Sequence, residues 1–216
     1  MFRKRLLFAL LFITLQPLAS ATVTVQIHLG PAATGDDWYQ MALWLEDPQR
    51  GYAQTFYVTA DVGREGLGNG FWRLFGLTLR EAPESLPVWA HRRGVRYGES
   101  YYPPKEKPLP DAVTGATIKQ PSILQGFELE DAVSQRKGTG SWHCLMELNV
   151  SRDGIPSMVF QAVATANGGP APFRFLGYGD KNGRDGTLHA GDANPAAFVQ
   201  EASCTIVNDV SAETKP

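Results

Sequence analysis

The residues whose types and spacing could do chemistry are concentrated in Asp111-Ala112-Val113-Thr114-Gly115-Ala116-Thr117. Gly115 takes positive φ without steric cost. Asp111 and Thr114 can bond to nearby backbone N–H groups, which favours a turn over an element interior. Pro108 and Pro110 hold the residues before them extended. The stretch reads as an extended arm ending in a tight turn that presents the Thr117 hydroxyl. That hydroxyl either bonds its own backbone, as clusters of Gly, Asp and Thr in loops usually do, or is open to modification.

Just ahead of this stretch, residues 87–107 interleave basic and aromatic groups: Trp89, His91, Arg92, Arg93, Arg96, Tyr97, Tyr101 and Tyr102. Guanidinium pairing and aromatic stacking suit an anionic, planar ligand. The plainer expectation is a long solvated loop with its aromatics folded onto a sheet. Other constellations fail on inspection. Gly66-Leu67-Gly68-Asn69-Gly70 does not match a phosphate-cradling GxGxxG, and no Lys-Ser/Thr pair follows. Residues 180–191 lack the ligands of a calcium loop, because Arg184 takes an oxygen-ligand position, Asp185 the glycine position and Gly191 the final Glu position. His28, His91, His143 and His189 have no metal-ligand spacing, and no GxSxG is present. Triads need no sequence proximity, but no motif here points to a hydrolase assembled from distant residues, so the expectation is no enzyme, no catalytic residue and no metal.

The elements that must position these residues read as strands. Residues 22–29 alternate, with Val23, Val25, Ile27 and Leu29 on one face. Residues 38–46 and 52–60 are rich in aromatic and β-branched types, and the three segments read as antiparallel neighbours. A short amphipathic helix is expected at 71–81, closed by Pro83. Further strands are expected at 123–129, 141–150, 156–166, 173–178 and 202–207, separated by Gly/Pro breaks such as Asn167-Gly168-Gly169-Pro170. Strands every 10–15 residues or so with such turns define an all-β sandwich.

The chain opens as a leader. Arg3, Lys4 and Arg5 precede an apolar run at 6–15, and Ala19-Ser20-Ala21 fits a small-x-small cleavage pattern. The run is shorter than the roughly 20 residues a spanning helix needs, and no Cys follows it to carry a lipid. The expected organisation is a signal peptide at 1–21, a β-sandwich domain at 22–208 and a flexible tail at 209–216, with no transmembrane segment in the mature chain. Of the 20 Lys+Arg, 17 remain after the leader against 22 Asp+Glu, a net charge of −5. That balance gives no hint of a nucleic-acid partner. Apolar residues make up 43% of the chain, enough for a sizeable core. Cys144 and Cys204 are either a disulfide, closing a loop of about 60 residues worth roughly 4 kcal/mol, or two buried thiols.

Two parts of the chain resemble one family of uncharacterised periplasmic proteins, domain of unknown function 2271. The first is Asp111 through Thr117. The second comprises Glu147-Leu148-Asn149-Val150-Ser151, Pro156-Ser157 and Gly177-Tyr178-Gly179 leading to Gly183-Arg184-Asp185-Gly186. The likeness covers roughly residues 38–188. It implies an immunoglobulin-like antiparallel β-sandwich exported to the periplasm, in the company of PepSY-type membrane proteins and flavin transferases. The implied role is a non-catalytic accessory or binding module of a membrane-associated redox system. The first stretch is also similar to the Asp-x-x-Ser/Thr-Gly-Ala-Thr site at which flavin transferases attach FMN to Thr. By that likeness Thr117 is the acceptor, Thr114, Gly115 and Ala116 form the recognised turn, and Asp111 opens it. Lys119 stands where the flavinylated pattern usually has a hydroxyl residue. The implied cofactor in that case is covalent FMN; otherwise none.

Overall fold

The computed structural model describes residues 21–33, 39–65, 83–104, 107, 109, 113–115, 122–128, 140–150 and 155–208. Among the described residues, ten strands build two sheets. Strands β1 (Ala21–Leu29), β5 (Ser122–Glu128), β8 (Ala171–Pro172) and β10 (Val199–Asn208) form a four-stranded sheet in the order β5-β1-β10-β8. Strands β2 (Tyr39–Asp47), β3 (Gly51–Thr59), β4 (Val113–Gly115), β6 (Ser141–Val150), β7 (Met158–Thr165) and β9 (Arg174–Tyr178) form a six-stranded sheet in the order β4-β3-β2-β6-β7-β9. The fold is an all-β sandwich. Every pairing of these strands is antiparallel except β3 with β4, which is parallel.

The inner core lies between the sheets. Val23, Val25 and Ile27 of β1 alternate inward as their spacing predicts, and they meet Met41, Leu43, Leu45, Met146, Leu148, Met158 and Phe160 from the larger sheet. The three N-terminal strands are not all neighbours, however. β2 and β3 pair as expected, but β1 belongs to the other sheet, where it runs against β10 from Ala21↔Asn208 onward. β1 begins at Ala21, one residue before the expected start of the mature domain.

All nine residues of β2 are buried. A strand covered on one face alternates; one covered on both does not. The second cover is a layer at 83–109 with its own core: Leu86, Val88, Trp89, Ala90, Tyr102 and Leu109 pack on Ala42, Trp44, Val58, Leu145 and Val159 of the larger sheet. The layer begins beyond helix α1 (Ala60–Glu65) and contains helix α2 (Pro87–Arg93). It is the crossover from β3 to β4, and parallel strands require such a connection.

Helix α2 falls where the sequence reads as loop. Its signals are short but present. Pro87 occupies the first turn, His91, Arg92 and Arg93 fill the last, and Gly94 closes it at φ 70°. These are the usual start and stop residues of a helix, with the Arg92 and Arg93 cations against the C-terminal dipole. Seven residues are too few for periodicity to show. The helix expected at 71–81 lies outside the described residues. Of the Asp111 to Thr117 stretch, only Val113, Thr114 and Gly115 are described. They form strand β4, paired with Tyr57, Val58 and Thr59, rather than the expected turn centred on Gly115.

Candidate functional site

The outer layer is seated by polar groups on the outward face of the larger sheet. Helix α2 lacks a side-chain cap of its own, since Leu86 stands at its N-cap. Glu147 of β6 substitutes for one. Its Oε1 accepts from Val88 N–H at 3.2 Å and its Oε2 from Trp89 N–H at 2.7 Å, so two N–H groups that no helical carbonyl can reach are satisfied. Ser157 Oγ donates to the same carboxylate at 2.5 Å. Glu147 has no exposed surface. Burial pushes its pKa up to about 7, while the donations from Ser157, Trp89 and Val88 and the charge of Arg92 pull it down.

Other contacts finish the docking. Trp89 Nε1–H donates to Thr55 Oγ1 at 2.8 Å, and Tyr52 and Thr55 share a hydroxyl bond of 2.7 Å. Asn149 Nδ2 donates to Glu84 O, and Tyr102 Oη donates to Pro83 O while accepting from Leu86 N–H. Burial drives the Tyr102 pKa well above its ordinary value, with Glu147 adding to the rise.

The loop after β9 braces α2 from the other side, and its glycines mark the closest approaches. A Cβ on Gly179 would lie 2.3 Å from Ser157 Oγ and 2.7 Å from Pro87 Cγ. One on Gly183 would meet Pro83 at 2.2 Å, and one on Gly186 would meet His91 Cβ at 2.4 Å. Glu147, Ser157, Gly179, Gly183 and Gly186 all belong to the C-terminal block singled out in the sequence. They converge on one task, holding the helix that carries the arginines.

Those arginines have different fates. Arg92 Nη1 pairs with Glu46 Oε2 at 3.0 Å, and Glu46 also accepts from Trp44 Nε1. Arg93 is buried, its guanidinium 4.9 Å from the Trp89 ring centroid and 5.5 Å from that of Tyr97. Its Nη2 donates to Tyr101 O, while Nε and Nη1 find no partner among the described residues. Arg96 is exposed, stacked 4.7 Å over Tyr101 and donating to its hydroxyl at 2.8 Å. Trp89 has no exposed surface and its Nε1–H is committed, so it cannot stack on an external ring. Exposed Arg96 and half-buried Tyr97 and Tyr101 form the rim, with Val95 at 44% exposure beside them. The sequence brought these residues to notice as a loop; the structure divides them into a buried set that fixes α2 and a surface set that faces outward.

Asp111, Ala116 and Thr117 lie outside the described residues. Thr114 and Gly115 sit on β4, the edge strand of the larger sheet. Leu109, just before the stretch, is buried in the outer layer, and its N–H donates to Gly63 O at 3.2 Å.

One other cluster has the residue types of catalysis. Asp185 Oδ1 accepts from Thr187 Oγ1 at 2.7 Å and lies 3.1 Å from His189 Nε2, which is itself 3.2 Å from Thr187 Oγ1. The same imidazole nitrogen faces both partners, so it cannot take a proton from the hydroxyl while being oriented through its other nitrogen, as a hydroxyl–imidazole–carboxylate relay needs. Hydrogen bonds from Thr187 hold the Asp185 carboxyl down to about 2. Asp180 accepts from the Asn182 and Arg184 N–H groups, so Asp180 and Asp185 are both used in the turns of this loop. No group of three or more potential metal ligands occurs among the described residues. Among them, too, no helix is long and apolar enough to cross a membrane.

Compared with known proteins, the chain matches no family model, no curated protein and no solved structure.

Proposed function

We propose that this chain is an exported, non-catalytic β-sandwich that serves as an accessory or binding module of a membrane-associated redox system, with a PepSY-type membrane protein as its partner in the periplasm. The observation that carries the reading is the outer layer. Its buried groups bond α2 to the sheet, and exposed Arg96 with half-buried Tyr97 and Tyr101 forms a rim at its surface. Arg and Tyr are the residue types that dominate binding energy at protein interfaces. The leader and the family likeness support the compartment and the partner class. A photo-crosslinking residue in place of Val95 tests it in cells. The expected result is a covalent adduct with one integral membrane protein that carries a redox cofactor, weakened several-fold by Arg96→Glu. A probe that crosslinks to nothing in the membrane, or a purified chain that turns over a substrate, overturns the reading.

A second reading has its own support in the Asp111 to Thr117 stretch: an electron carrier with FMN esterified to Thr117 by a flavin transferase. β4 ends two residues before Thr117, on an edge strand with no neighbour beyond it among the described residues of the sheet. Of the groups suited to a flavin phosphate and ring, Arg96 is exposed, Arg92 is exposed but paired with Glu46, Tyr97 is half-buried, and Trp89 and Arg93 are buried. The flavin itself would supply the electron transfer. Intact mass after export in a host with an active flavin transferase is expected to rise by one FMN less water, and Thr117→Ala to abolish the increment. An unmodified mass removes this reading.

A further inference from the structure

Cys144 and Cys204 come from different sheets. Cys144 is on β6 of the larger sheet and Cys204 on β10 of the smaller; both are fully buried in the inner core and both are thiols in this structure. Facing sheets of a sandwich normally stand about 10 Å apart. A disulfide needs Cα atoms roughly 4.4–6.8 Å apart. A cross-sheet pair is therefore reachable only where the sheets close up locally.

Small residues flank the two cysteines on one side, and the sheets touch nearby. Cys144 pairs across β6–β7 with Ala162, and Cys204 across β10–β8 with Ala171. Ala164 and Ala202 line the same part of the core. On their other flanks the cysteines pair with Leu45 and Val25, so the small side chains lie on the side toward β7 and β8. Beyond the end of β7 the sheets are stitched directly: Asn167 N–H donates to Ile206 O at 2.7 Å, and Asn208 N–H donates to Asn167 Oδ1 at 2.8 Å. The two thiols belong to this same core, and beside the effect of burial the neighbouring Cys204 thiol adds to the rise in the Cys144 pKa.

We propose that Cys144 and Cys204 are a disulfide site, a covalent tie between the two sheets that forms as the chain folds. The chemistry is thiol–disulfide exchange with a small or protein disulfide. One cysteine thiolate attacks the donor S–S bond and releases one donor thiol. The second thiolate attacks the resulting mixed disulfide and releases the other. The two protein sulfurs are oxidised to one S–S bond, the donor is reduced to two thiols, and the two protons pass from protein to donor thiols. Burial raises the Cys144 pKa well above its ordinary value, so the closed core withholds the thiolate and the exchange belongs to the stage before the sheets close. Two inert thiols packing as small apolar side chains are the alternative.

The test uses the full chain without its leader and needs no particular compartment, so its outcome is independent of the proposed export and partner. The reduced, denatured chain is refolded in a glutathione/glutathione disulfide buffer, then denatured, alkylated and weighed. The expected result is loss of both titratable thiols, a mass two hydrogens below that of the reduced chain, and no glutathione adduct. Reductant then lowers the Tm of the oxidised chain by several degrees and leaves that of the Cys144→Ala/Cys204→Ala double variant unchanged. A folded chain in which both cysteines alkylate, or in which either carries glutathione, overturns the proposal, and this readout holds even if the double variant does not fold.

Discussion

Glu147 is pulled in two directions. Burial raises its pKa to about 7, and three donors aimed at its oxygens oppose the rise. A folded pKa above the unfolded value means the folded state binds the proton more tightly. The associated stability is then fully present below about pH 4.5 and is lost as pH rises through about 7. A shift of this size corresponds to about 3 kcal/mol. Glu147→Gln does not titrate, and its amide can accept through one oxygen only, so one of Val88 and Trp89 loses its acceptor. The variant is expected to be the less stable at pH 5, with the gap to the parent shrinking by roughly 2 kcal/mol between pH 5 and pH 8, because part of the loss already falls below pH 5. Urea unfolding of both proteins at the two pH values, followed by tryptophan fluorescence, measures it. An equal gap at both values would show that Glu147 does not titrate in that window.

At the scale of elements, α2 depends on neighbours more than on itself. Seven residues cannot hold a helix in water. This one is capped by β6, hydrogen-bonded to β3 through Trp89 and braced by the loop after β9. Gly179 is a tight point of that brace, where Ser157, Pro87 and Glu147 all come within 3.1 Å of the position a Cβ would take. Gly179→Ala is expected to cost about 1–3 kcal/mol by overpacking. The loss should be local: hydrogen exchange at the Val88 and Trp89 amides speeds up together, while exchange in β1 and β10 rises no further than the change in global stability requires. A variant as stable as the parent would mean that the loop yields without disturbing the helix. The strands were largely legible in the sequence, because side-chain alternation in β1 and turn residues around β6 and β7 are local signals. α2 was not, because its cap comes from a residue on a strand far along the chain.

At the scale of the molecule, the same distinction separates what could be read from what could not. The two-sheet class follows from strand spacing, and β6 occupies 141–150 as expected. Which strands are neighbours does not follow, since β1 looks like a partner for β2 and instead pairs with β10. The outer layer leaves a trace only in the unbroken burial of β2, a pattern that resembles any apolar run. For the candidate site, the basic and aromatic residues were legible as types. Their division into seat and rim was not, because it depends on Glu46, Thr55, Glu147 and Ser157, which are ordinary polar strand residues until α2 lies over them. The Asp111 to Thr117 stretch was legible as a motif, and the structure adds that its middle continues the sheet.

The pairing of β1 with β10 also sets an order in time. Synthesis delivers β1 first and β10 last among the described strands, and they match along nearly their whole lengths, from Ala21↔Asn208 to Leu29↔Val199. Until β10 emerges, the apolar row of Val23, Val25 and Ile27 has β5 on one edge and the larger sheet to face, but lacks the neighbour that matches it along nearly its whole length. Pairings so distant along the chain make folding slow. The molecule therefore spends its synthesis with its first strand paired on one edge at most, and the smaller sheet is complete only after the last strand is made.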